Sequence, residues 1–196
     1  MNEVWAIILA AGASTRMHQQ KLLLPFQDKT IIETVIDNAA LEVDKNIMIV
    51  LGSHREEIVR QIGNRSVNYC VNEDFMKGML SSVICGYNAL PANATATLII
   101  LGDQPQIPKQ VPKIVIEAWQ QNNKGIVIPT YEGKRGHPCL IETKYKYEIE
   151  KLDPAKGLRM LSQKFKDDVF EVECNIPEIL RDIDTPKEYK MEISKY

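Results

Sequence analysis

A chain of 196 residues, 44% hydrophobic and 26% charged, has the composition of a single globular domain. It is long enough to bury roughly 70% of the surface its unfolded form exposes. The formal net charge of −2 excludes a general affinity for nucleic acid or for an anionic membrane surface.

The first apolar run, residues 4–10, reads as a buried strand. It is too short to cross a bilayer and follows Glu3 rather than a basic segment, which predicts a cytoplasmic protein with no membrane partner. Small residues come next, Ala10-Ala11-Gly12-Ala13-Ser14, and then two cations, Arg16 and Lys21. Small side chains let a backbone approach a ligand closely, and Gly12 can take angles closed to other residues. Outward N–H groups backed by an Arg and a Lys suit a phosphate chain. A tight strand-to-helix turn with a solvated basic face accounts for the same residues. The segment is not a G-x-x-x-x-G-K-[ST] loop. Its single glycine also falls short of the G-x-G-x-x-G that a dinucleotide-binding oxidoreductase carries.

Further along, helical spacing covers 30–40, 54–62, 77–89, 109–121, 154–164 and 186–193. Strand-like runs rich in Val and Ile fall at 47–51, 67–71, 97–101, 126–129 and 169–173, several of them apolar at nearly every position. The alternation predicts one α/β domain, residues 1–196, with a three-layer architecture and a mostly parallel central sheet. Residues 139–141 add a short antiparallel strand after the turn-like Glu132-Gly133-Lys134-Arg135-Gly136. The four cysteines, Cys70, Cys85, Cys139 and Cys174, form no C-x-x-C pair and are expected to be small, buried and reduced.

Ligands of open α/β sheets sit beyond the carboxyl ends of the strands. The run 97–101 ends abruptly in Gly102-Asp103-Gln104-Pro105. A carboxylate there is placed to hold a hard cation that bridges phosphate oxygens, although Gly, Asp and Pro equally make a plain turn. A second acidic segment, Asp182-Ile183-Asp184, precedes Thr185-Pro186, which reads as a helix cap followed by Pro at the first helical position. Between them lie Asn72–Ser82, with small residues Gly78, Ser81 and Ser82, and Gly136-His137-Pro138 behind the basic pair Lys134 and Arg135. Each of these has an ordinary explanation, as a helix N-terminus and as a turn into an edge strand.

Leu9-Ala10-Ala11-Gly12-x-Ser14-x-Arg16-Met17-x-x-x-Lys21 resembles the signature L-A-A-G-x-S-x-R-M-G-x-x-K of the MobA-like nucleotidyltransferases, most closely their molybdenum cofactor cytidylyltransferase branch. The resemblance extends to G-D-x-P at Asp103, D-I-D-T-P at Asp184, N-x-x-[WF]-x-x-G-x-x-x-S at 72–82 and G-H-P at 136–138. It implies a Rossmann-like nucleotidyltransferase fold. Leu9, Ala10, Ala11, Gly12, Ala13, Ser14, Arg16 and Lys21, with Gly78, Ser81 and Ser82, would bind the nucleotide. Arg16, Lys21 and Asp103 would be catalytic, and Asp103 and Asp184 would hold Mg²⁺, or Mn²⁺ in its place, with Asp182 beside them. Gly136, His137, Pro138 and Arg159 would bind the acceptor. Ala11, where guanylyltransferase relatives carry glycine, implies CTP over GTP.

The same resemblance implies transfer of CMP to the phosphate of molybdopterin, with an apo-molybdenum hydroxylase as downstream partner. Two alternatives stay open: another phosphorylated acceptor, such as phosphocholine or a sugar 1-phosphate, and a non-catalytic carrier of the cofactor. Three positions depart from the family pattern. His18 replaces a glycine and is expected to face solvent, Lys187 replaces an acidic residue, and Ala155 stands at the acidic position of G-D-x-G-A-R, where only Gly157 and Arg159 align.

Overall fold

The computed structural model describes residues 3–17 and 19–196, so the expectation for His18 lies outside the described residues. Strand β1 (Glu3–Ala10) leads through the small-residue loop to a β-ribbon, β2 (Pro25–Phe26) and β3 (Lys29–Thr30), and helix α1 (Ile31–Val43). Then come β4 (Ile47–Leu51), α2 (Arg55–Ile62), β5 (Asn68–Val71), α3 (Met79–Ala89), β6 (Ala94–Leu101) and α4 (Gln110–Asn122). The last third holds β7 (Ile126–Tyr131), β8 (Lys134–Arg135), β9 (Cys139–Glu142), α5 (Lys146–Ile149), α6 (Arg159–Lys164), β10 (Val169–Glu173) and α7 (Pro186–Ile193).

The main sheet runs β10-β7-β9-β6-β1-β4-β5, with β8 paired to β7. The pairs β1–β4, β1–β6, β4–β5 and β7–β10 are parallel. Only β9 and the short β8 run against them. The strand expected at 139–141 is therefore antiparallel as predicted, but it lies between β6 and β7 rather than at an edge. Its apolar Cys139, Leu140 and Ile141, all buried, reflect that interior place. Strand β1 shows the three layers directly. Ala6, Ile8 and Ala10 join the cluster on one face with Ile32, Val35 and Ile36 of α1, while Trp5, Ile7 and Ala11 join Leu80 and Val83 of α3 on the other. The period-2 pleat sends alternate side chains to opposite helical layers.

Three expectations are corrected by local chemistry. The helix expected from 154 starts only at Arg159: the Asp153 carboxylate accepts the Ala155 N–H at 2.9 Å and Gly157 sits at φ +58°, so the segment turns instead. The helix expected from 77 starts at Met79, because Gly78 adopts φ +98° and ends a 3₁₀ turn, Phe75–Lys77. Of the cysteines, Cys139 and Cys174 are buried, but Cys70 and Cys85 are only half-buried, their sulfurs 3.5 Å apart.

Before β10, Asp168 accepts hydrogen bonds from Tyr145 Oη and from the Gly125 N–H at 3.0 Å, and pairs with Lys144 at 2.9 Å. Desolvation opposes ionisation, but these donors outweigh it and bring its pKa down to about 2. A carboxyl depressed in the folded state stabilises above its unfolded pKa and loses that contribution as pH falls through the folded one. Thermal melts should therefore show stability lost between about pH 4 and pH 2, and Asp168→Asn, less stable at pH 7, should flatten the melting curve in that window. An unchanged acid profile in the variant would contradict this assignment.

Candidate active site

The loop after β1 is closed by its own side chains. Ser14 Oγ donates to Gln20 Oε1 at 2.8 Å and accepts the Lys21 N–H at 3.3 Å. Gln20 Oε1 also accepts the Leu22 N–H at 3.2 Å. The left-handed residue in this turn is Ser14, at φ +51°, and not Gly12 as the sequence suggested. Gly12 matters for space instead, since a Cβ there would meet nothing within 4 Å and would only fill the opening in front of the backbone.

The two cations do not stand free. Lys21 Nζ donates to Asp103 and, at 2.9 Å, to Asp184, while Arg16 pairs with Asp184 at 3.0 Å. The residues expected from three separate segments thus meet at one point, with a lysine ammonium between the two carboxylates expected to hold metal. Asp103 is delivered by the tip of β6, where the Gly102 N–H donates to Leu9 O at 3.0 Å. A Cβ on Gly102 would lie 2.7 Å from that same oxygen, so only glycine lets the tips of β6 and β1 close together. Asp184 is delivered by the start of α7. Thr185 caps that helix in a reciprocal capping box with Glu188, and buried Ile183 pins the approach.

Desolvation works against charge here, and the partners outweigh it. It pulls Lys21 down, but Asp103 and Asp184 together raise its pKa above the usual lysine value. It pushes Asp184 up, but Lys21 and Arg16 hold it below the usual carboxylate range. Asp182 is pushed upward by desolvation and by the charges of Asp103 and Asp184, against a hydrogen bond from Gln104 and the nearby His137.

A cavity of about 320 Å³ opens over this cluster, at the small end of the range for ligand sites. Leu9, Ala10, Ala11, Gly12, Ser14, Arg16, Lys21, Gly78, Ser82, Asp103 and Asp184 line it. Ala13 does not. Nor does Ser81, whose hydroxyl is engaged with Gly78 O at 2.8 Å and Asn72 Nδ2 at 2.8 Å. Sequence reasoning assigned no role to Thr15, Phe75 and Met79, which also line the cavity. Phe75 stands in the segment 72–82 that the sequence singled out, and Met79 directly follows its Gly78.

Gly136, His137 and Arg159 do not reach this cavity but line a second one of about 210 Å³, floored by Ile126, Ile128 and Leu161. Pro138 is joined to His137 by a cis peptide and lies outside that lining. The His137 ring is desolvated, which pushes its pKa below the usual value and leaves it neutral near pH 7. The positive groups there are Arg159 and Arg135, the latter held by Glu171 at 2.6 Å and Ser162 Oγ at 2.9 Å.

The donor set suits a small hard cation. Asp103 and Asp184 offer carboxylate oxygens at the cavity wall, with side chains 22% and 28% exposed, and Mg²⁺ takes one or two such ligands and completes its shell with phosphate and water. No cluster of three or more His, Cys, Asp or Glu exists among the described residues, so a metal here would depend on a ligand for the rest of its coordination.

A parallel α/β sheet with a small-residue loop, cations and carboxylates at adjoining strand tips has the form of a nucleotidyltransferase. Residues 6–169 match the MobA-like NTP transferase domain, and the chain belongs to that family. It is 31% identical over 191 residues to the molybdenum cofactor cytidylyltransferase of Escherichia coli K12, covering 96% of this chain and 95% of that one. It is 27% identical over 175 residues to a probable molybdenum cofactor guanylyltransferase of Methanosarcina acetivorans, covering 84% and 76%. A nicotine blue oxidoreductase of Paenarthrobacter nicotinovorans is 26% identical over 145 residues, 71% of each chain. Among solved structures, Rv0371c of Mycobacterium tuberculosis superposes with a TM-score of 0.87 at 25% identity over 98% of both chains, and has also been solved in complex with manganese. A nucleotidyl transferase of Methanothermobacter shares the fold, with a TM-score of 0.85 at 19% identity over 100% and 98%. No helix among the described residues is long and apolar enough to cross a membrane.

Proposed function

We propose that the chain, as one domain of residues 1–196, moves CMP from CTP onto the phosphate of a molybdopterin-type cofactor. An acceptor phosphate oxygen bonds to the α-phosphorus of CTP, the bond from that phosphorus to the β-phosphate oxygen breaks, and pyrophosphate leaves. The observation that carries this reading is the meeting of Arg16, Lys21, Asp103 and Asp184 at a cavity walled by the 9–14 loop.

Arg16, with a side chain 69% exposed, is free to turn from Asp184 to the β- and γ-phosphates. Lys21 supplies a point charge to the α-phosphate as negative charge builds there. Ala11, which lines the cavity where guanylyltransferase relatives carry glycine, favours a pyrimidine. Asp103 and Asp184 would hold a divalent cation, Mg²⁺ or Mn²⁺, which when bound neutralises charge on the α-phosphate and the incoming oxygen. The acceptor phosphate is already ionised near neutral pH, so positioning and charge, not a general base, set the rate. Gly136, His137, Pro138 and Arg159 form the acceptor side, where neutral His137 can orient a pterin and Arg159 can pair with its phosphate. The nucleotidylated cofactor would then pass to an apo-molybdenum hydroxylase. The identity to a cytidylyltransferase over nearly the whole chain supports this acceptor over phosphocholine or a sugar 1-phosphate.

The test is pyrophosphate release from CTP and Mg²⁺ with each candidate acceptor. The reading predicts release with molybdopterin alone, and none with any acceptor would overturn it in favour of a carrier. A thermal-shift screen of the four common NTPs should show stabilisation by CTP with Mg²⁺, about 2.7 kcal/mol at a hundredfold excess over Kd. Equal shifts with GTP would remove the role given to Ala11.

A further inference from the structure

The two carboxylates come from distant segments, the loop after β6 and the approach to α7, yet they meet at one ammonium. What holds those segments together is a pair of glutamines just past Asp103. Gln104 is 4% exposed and Gln106 is 3% exposed. Both donate from Nε2 to the Arg181 carbonyl oxygen, at 3.0 and 2.6 Å. Gln104 Nε2 also donates to Asp182 Oδ1 at 2.7 Å. Among the described residues neither Oε1 has a partner, so each amide is oriented by its donor end alone.

We infer that Gln104 is a positioning residue that ties Asp182 to the Asp103 loop and so fixes the reach of Asp184 toward Asp103. The chain of contacts is short: Asp103 and Gln104 are adjacent, Gln104 grips the side chain of Asp182, and buried Ile183 carries the restraint one residue further to Asp184. Both N–H groups of Gln104 are used on this segment, one on backbone and one on side chain, whereas Gln106 touches only the backbone. Asp182 on this account acts through its place and not through its charge. Leaving a buried acceptor unmatched favours its rearrangement, and a separation of two ligands that is loose by 1 Å weakens a metal site far more than it weakens a fold. The inference rests on the assignment of Asp103 and Asp184 to a shared cation.

The experiment is Mn²⁺ binding, followed by electron paramagnetic resonance, to the full chain with a non-hydrolysable CTP analogue. Gln104→Leu keeps the volume and removes both donors. It should weaken Mn²⁺ binding at least tenfold while leaving metal-free affinity for the analogue within about twofold of the unaltered chain. Asp182→Asn, which keeps an oxygen acceptor, should stay within threefold for Mn²⁺, and Asp182→Leu should match Gln104→Leu. If Gln104→Leu does not fold, the two Asp182 variants carry the test, and equal losses in both would overturn the inference by making the charge the active feature. Unaltered Mn²⁺ affinity in a folded Gln104→Leu would overturn it as well. If the unaltered chain itself takes up no Mn²⁺ with the analogue, the metal assignment fails first, and the role of Gln104 falls with it.

Discussion

Asp103→Asn is expected to lower metal-dependent transfer by about 10²- to 10³-fold, the scale on which a single preorganised charge acts in a site shielded from water. The variant keeps the shape of the side chain and one oxygen, so the tip of β6 and its close contact with Leu9 stay in place. Its melting temperature should therefore stay near that of the unaltered chain. Rates of pyrophosphate release at saturating CTP and Mg²⁺ check the first expectation, and circular dichroism melts check the second. Full activity in the variant would remove Asp103 from the chemistry.

The second large effect is expected at Lys21. Its ammonium touches both Asp103 and Asp184 and is only 14% exposed. Lys21→Met should lower kcat/KM by about 10²-fold or more, because it removes the charge offered to the α-phosphate and leaves two carboxylates facing one another. Lys21→Arg should not restore the rate. The larger planar guanidinium does not fit the seat of a compact ammonium whose side chain is only 14% exposed. Steady-state kinetics with CTP varied at fixed metal distinguish the outcomes, and recovery of activity by arginine would show that charge alone, and not its placement, is used here.

Much of the architecture could be read from residue order. The strands at 47–51 and 169–173 and the helix at 186–193, with Thr185 and Pro186 at its start, stand where their pattern placed them. Strand β4, covered on both faces, leaves an unbroken apolar run, and capping chemistry is local. What periodicity could not deliver was set by single side chains or by distant partners. Asp153 and Gly157 shortened α6 through a turn of their own. Strand β9 is interior because it pairs with both β6 and β7, and its apolar run of three alone does not say which strands it joins. Within the site, the motifs carried the identities of Arg16, Lys21, Asp103 and Asp184, but not their mutual pairing. The left-handed turn fell on Ser14 because its hydroxyl is held by Gln20 and Lys21, and the small glycine that invited that expectation is used for open space instead. Sequence places His137 behind basic neighbours, and the desolvation that keeps its ring neutral is supplied only by the fold.

The central claim is that a cation and a triphosphate share the ground between Asp103, Asp184 and the 9–14 loop. A crystal of the chain grown with Mn²⁺ and a non-hydrolysable CTP analogue, with the manganese located by its anomalous scattering, tests it most directly. The account predicts manganese ligated by both carboxylates, Lys21 turned from them toward the α-phosphate, and the phosphate chain along the loop. Manganese bound elsewhere, with Lys21 still clasped between Asp103 and Asp184 beside the bound analogue, would contradict it.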